Sequence, residues 1–96
     1  MNIYDALEAL DSIASLADVE GWRQIDHQPK IKMVSFKKGK ARINVYYTTM
    51  TVGTCIDHPK KGKTQLFRRN VSMETLTKIF RNPRIHTQRG YYRRDK

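Results

Sequence analysis

Ala41-Arg42-Ile43-Asn44-Val45-Tyr46-Tyr47-Thr48 decides the fold. Ile43, Val45 and Tyr47 alternate with Arg42, Asn44, Tyr46 and Thr48, a period of two that gives an extended chain one apolar and one polar face. Ile31 to Phe36 reads as a strand ahead of it. The joining segment Lys37-Lys38-Gly39-Lys40 is a hairpin turn in which Gly39 can take the positive φ required. Met50 to Asp57 reads as the next strand, with Met50, Val52, Thr54 and Ile56 on one face and Gly53 and Cys55 on the other. His58-Pro59-Lys60-Lys61-Gly62-Lys63 has the composition of a turn, and Thr64 to Arg69 makes a fourth strand. The expectation is a four-stranded antiparallel meander.

Outside the strands the period lengthens. Ile3, Leu7, Leu10, Ile13, Ala14 and Ala17 recur at three- and four-residue steps, which predicts an amphipathic helix with Asp5, Glu8 and Asp11 off its apolar face. Asn2 is placed to cap it, Gly21 to end it, and Trp22 and Ile25 to close over the core. After the strands, Ser72 is a good N-cap, and Val71 and Leu76 have the spacing of a hydrophobic staple. Met73, Leu76, Ile79 and Phe80 form an apolar stripe, and Pro83 stops the helix at residue 81 or 82. The predicted class is therefore α+β. Its four-stranded antiparallel sheet carries, on one face, an N-terminal helix and a helix after the last strand. Residues 1–82 form a single domain, and 83–96 form a basic, aromatic C-terminal tail that orders on binding.

Charge is distributed unevenly along this frame. Residues 1–26 hold six acids and one base, a net of −5, whereas residues 27–96 hold eighteen Lys or Arg against Asp57, Glu74 and Asp95, a net of +15. Like charge at that density costs self-repulsion, and a polyanionic partner offsets it. The chain has no run of about 18 apolar residues and no secretory signal pattern. Its one cysteine, Cys55, cannot form an internal disulfide. The expectations are an intracellular location and no membrane partner.

Chemical motifs are sparse. Gly62-Lys63-Thr64 matches the end of a phosphate-binding loop, but Asp57 stands where that motif needs glycine and a strand follows where it needs a helix. Cys55 and His58 have a zinc-like spacing without the second pair that a structural site requires. Asp57-His58 gives one acid in a basic segment, a weak nucleus for a two-metal nuclease. No enzyme, metal site or cofactor is predicted.

The basic constellation is the main functional signal. Lys37, Lys38 and Lys40 sit on one hairpin tip and Lys60, Lys61 and Lys63 on another, and a meander puts both tips at the same end of the sheet. The polar strand face adds Arg42, Asn44, Tyr46 and Thr48, with Arg68 and Arg69 from the fourth strand, groups able to contact bases or grooves. Arg84, Arg89, Tyr91, Tyr92, Arg93 and Arg94 in the tail interleave cations with aromatics, as segments that wrap nucleic acid do. The reading is a small nucleic-acid-binding protein, for DNA or RNA, that holds phosphates with its lysine tips. Its rivals are a protein-interaction subunit, with the acidic helix 3–20 as docking surface, and a minimal metal-dependent nuclease.

Residues 41–80 also resemble the WGR domain, a small DNA-associated module in which strands precede a Gly-x-Thr-x-Leu segment and a helix with a late phenylalanine. Gly62, Thr64, Leu66, Ser72 and Phe80 fit that frame, while Ile56, Asp57 and His58 stand where the Trp-Gly-Arg tripeptide would fall. The resemblance implies a preference for DNA or nucleic-acid ends and no catalytic role.

Overall fold

The computed structural model describes residues 3–58, 62–83 and 92–93. In chain order the elements are α1 (Ile3–Val19), β1 (Arg23–Gln28), β2 (Met33–Lys38), β3 (Ala41–Tyr46), β4 (Thr51–His58), β5 (Gly62–Arg68), α2 (Met73–Arg81) and β6 (Tyr92–Arg93). The strands form one antiparallel sheet in the order β1-β2-β3-β4-β5-β6, so every strand pairs only with its neighbours in sequence.

The α+β class and the antiparallel meander match expectation, but the sheet has five strands of six to eight residues where four were expected. The extra one, β1, has no apolar alternation: Arg23-Gln24-Ile25-Asp26-His27-Gln28 is exposed or half-buried throughout. It is an edge strand held by pairing with β2 and by His27, whose Nε2 and the hydroxyl of buried Tyr47 are hydrogen-bonded at 2.9 Å. The register slips between Gln24 and Asp26, a bulge that leaves Ile25 exposed instead of closing over the core. The two-residue β6, within the segment expected to be a tail, pairs with Thr64 and Gln65 of β5. Asn2 lies outside the described residues.

One sheet face carries both helices. Val34, Val45 and Val52 stand opposite one another on β2, β3 and β4, and Phe36, Ile43, Thr54 and Leu66 form the next row. All seven are essentially inaccessible. Onto them pack Ala6, Ile13 and Ala17 of α1, and Leu76, Ile79 and Phe80 of α2, with Trp22 at the junction. The α1 stripe is rotated from the expected one: Ile13 and Ala17 are buried as expected, but Ala6 is buried in place of Leu7, which is exposed.

Local chemistry fixes where each helix ends. Trp22 N–H donates to the Ala17 carbonyl at 2.8 Å and Gly21 N–H to the Asp18 carbonyl at 3.1 Å, a Schellman closure with Gly21 at φ 85°. Ala17 and Trp22 are both buried, the apolar contact that accompanies this motif. At α2, Ser72 Oγ accepts from Thr75 N–H at 3.1 Å, and the expected Val71–Leu76 staple is buried. Ser72→Ala is expected to cost about 1 kcal/mol of folding free energy in urea denaturation, and Ser72→Asp close to nothing. An unchanged midpoint for Ser72→Ala would show that the cap contributes no stability.

Candidate nucleic-acid interface

The sheet face opposite the helices is built from the alternate positions of the same strands. Cross-strand pairing lines up Arg23 of β1, Lys37 of β2, Arg42 of β3, Cys55 of β4 and Gln65 of β5 as one row. Asp26, Ser35, Asn44, Gly53 and Phe67 form the row beside it, and Gln28, Met33, Tyr46 and Thr51 a third. Arg23, Lys37 and Arg42 thus occupy three adjacent strands about 4.8 Å apart. Arg23 and Lys37 are exposed and Arg42 is half-buried.

Arg42 is held in place by its neighbours. Its Nε donates to Asn44 Oδ1 at 3.0 Å and its Nη2 to Ser35 Oγ at 3.3 Å, while Ser35 Oγ donates to the same Asn44 oxygen at 2.7 Å. Ser35 is fully buried beneath this network. Two donors of the guanidinium position it, and the rest of its planar fork suits phosphate oxygens. Asn44 spends its carbonyl oxygen inside the network, which orients its amide nitrogen as a donor.

Phe67 is a large apolar group on this face. It is 47% exposed, and its ring lies across Gly53 on the neighbouring strand: a Cβ at residue 53 would stand 2.9 Å from Phe67 Cε1 and 3.2 Å from Cδ1. Glycine at 53 therefore makes the seat in which the ring rests. Tyr46, half-buried, stands in the third row.

The expected site residues separate into groups. Arg42, Asn44 and Tyr46 share the face opposite the helices, as expected; Lys37, expected in the hairpin turn, instead lies on that face within β2, paired with Arg42, and Arg69 is exposed just after β5. Lys40 is exposed in the β2–β3 turn beside Gly39 at φ 59°. Two expectations need correction. Arg68 is 3% exposed and points to the helix side, opposite Val52, where Nη1 donates to Thr54 Oγ1 at 3.2 Å and Nη2 to the Pro83 carbonyl at 3.0 Å. The two-residue period forces this once Phe67 faces outward. Lys38 also falls on the helix side, and its Nζ donates to the Glu20 carbonyl at 3.1 Å, placing a cation at the negative end of α1.

Lys63 lies on β5 opposite Asp57, and Tyr92 and Arg93 form β6. The β2–β3 and β4–β5 turns do lie at one end of the sheet, as pairing between consecutive strands requires. Lys60, Lys61, Arg84, Arg89, Tyr91 and Arg94 lie outside the described residues. Cys55 and His58 are strung along extended β4, and among the described residues no three His, Cys, Asp or Glu side chains gather as a metal site would need. No described helix is long and apolar enough to cross a membrane.

Sequence reasoning missed Arg23, because β1 carries no strand signal, and the seat formed by Gly53 and Phe67. A signal for the second was present: Leu66 and Phe67 are adjacent in a strand, so one of them must face away from the core. Set against known proteins, the chain matches no family model, no curated protein and no solved structure.

Proposed function

We propose that this chain binds nucleic acid on the sheet face opposite its helices, with the row Arg23, Lys37 and Arg42 contacting phosphates and Asn44, Tyr46 and Arg69 placed closer to bases or sugars. The observation that carries this reading is the alignment of those three cations on adjacent strands, in a chain whose residues 27–96 carry a net charge of +15. Cations at strand spacing form a track that a phosphodiester backbone can follow, and phosphate contacts supply most sequence-independent affinity. Lys40, exposed in the β2–β3 turn, extends the track at one end of the sheet. The reading contains no catalytic step.

Fluorescence anisotropy with labelled single- and double-stranded DNA and RNA over a salt series tests the proposal. The expected log-log slope of affinity against salt is about −4 to −7, the signature of several neutralised phosphates. Arg42→Ala should flatten the slope by roughly one. Absence of binding to all four ligands at about 50 mM salt would overturn the reading, because screening there is weak. That result would favour a protein-interaction role through α1, where Tyr4 and Leu7 stand 77% and 49% exposed one turn apart.

A further inference from the structure

We infer that the ligand of this face is single-stranded, and that Phe67 stacks against an unpaired base; this rests on the nucleic-acid reading above and narrows it. A phosphate track alone needs no aromatic group, yet the face displays a phenylalanine ring with nearly half its surface in water. The ring is also seated: Cε1, Cδ1 and Cζ would lie 2.9, 3.2 and 3.8 Å from a Cβ at residue 53, so only glycine leaves room for it there. A ring held in this way loses little conformational freedom when a base settles on it.

The surroundings fit a nucleotide. Across β4 from Phe67 lies Asn44, whose amide oxygen is engaged by Ser35 and Arg42 and whose amide nitrogen is the donor remaining for a base edge. Arg42 stands two residues along and two strands across from Phe67, roughly 12 Å away at ordinary strand geometry. Cations in one row and an aromatic in the next match a chain with phosphates on one side and unstacked bases on the other. A duplex presents the first and hides the second.

The test compares a labelled oligothymidylate of about 12 nucleotides, an abasic strand of equal length and a duplex of equal length, each titrated over the same salt series. Wild-type protein should bind oligothymidylate more tightly than the abasic strand. Phe67→Ala should lose roughly 5- to 100-fold in affinity for oligothymidylate, the range for one stacked base, with duplex affinity and salt slope unchanged. Phe67→Tyr should restore binding. Gly53→Ala should weaken binding in the same direction, since it keeps the ring but displaces it from its seat. Circular dichroism and Trp22 emission verify folding of each variant, and the abasic arm reads the same question on wild-type protein alone. Equal wild-type affinity for the abasic and base-bearing strands, or full affinity in folded Phe67→Ala, would overturn the inference while leaving phosphate binding intact. Failure of wild-type protein to bind any strand would overturn both.

Discussion

Phe80→Ala is expected to lower the stability of the fold by about 3–5 kcal/mol, a large share of the roughly 5–15 kcal/mol that holds a domain together. The Phe80 ring is 1% exposed and stands edge-on to Phe36, with centroids 5.5 Å apart at 83°, and tilted to Trp22 at 5.7 Å. Each such aromatic pair adds about 0.5–1.5 kcal/mol beyond area burial. The backbone carbonyl of the same residue accepts the Trp22 indole N–H at 2.9 Å, so α2, the exit from α1 and strand β2 meet at one point. Alanine would leave a cavity beneath three elements that cannot all relax into it. Trp22, the single tryptophan and 4% exposed, reports unfolding directly through its emission in urea. Phe80→Leu should cost less than half as much, and a loss below about 1 kcal/mol for the alanine variant would show that the pocket collapses freely.

Arg68→Ala is expected to cost about 2–4 kcal/mol, and Arg68→Met about half of that. The guanidinium is buried, and it supplies donors to Thr54 Oγ1 and the Pro83 carbonyl, while Thr54 Oγ1 in turn donates to the Leu66 carbonyl at 3.3 Å. Alanine removes the aliphatic stem and leaves both acceptors without this donor; methionine keeps most of the packing volume. Lysine would preserve charge but not the fork that reaches two acceptors at once. Urea denaturation measures the cost. Anisotropy titration of folded Arg68→Met should show the wild-type salt slope, in contrast to Arg42→Ala. A flattened slope for Arg68→Met would mean that this arginine reaches the ligand and that its buried placement is not the binding conformation.

These two arginines show what was legible in the sequence and what was not. Arg42 was placed on the polar face because its strand alternates cleanly, and Ile43 and Val45 leave one arrangement open. Around Arg68 the alternation is broken by the adjacent Leu66 and Phe67, and local pattern gave no means of deciding which apolar residue the core would take. In the fold the core takes Leu66, and Arg68 lies on the same side, donating to Thr54 Oγ1. The helices were legible because their ends carry specific chemistry: glycine at 21 and serine at 72 each have a single structural use there. The β1 strand was not, since it carries no apolar alternation and is specified by the backbone of β2 and by the contact of His27 with Tyr47, twenty residues away. Lys38 was legible as a cation and illegible as a helix cap, because its partner carbonyl, that of Glu20, comes from an element eighteen residues earlier.

Strictly sequential strand order has a kinetic consequence. Each hairpin brings together residues already close along the chain, so the sheet can zip from any turn at small entropic expense. The bond from Trp22 to Phe80 spans 58 residues and the exposed ion pair of Glu20 with Arg81 spans 61, and both clasp the exit of α1 to the end of α2. That clasp closes a long loop and has little to gain before the sheet exists, so it belongs to the late, native side of the folding barrier. Weakening it should hasten unfolding far more than it slows folding, which makes the junction of the two helices the place where the lifetime of the folded chain is set.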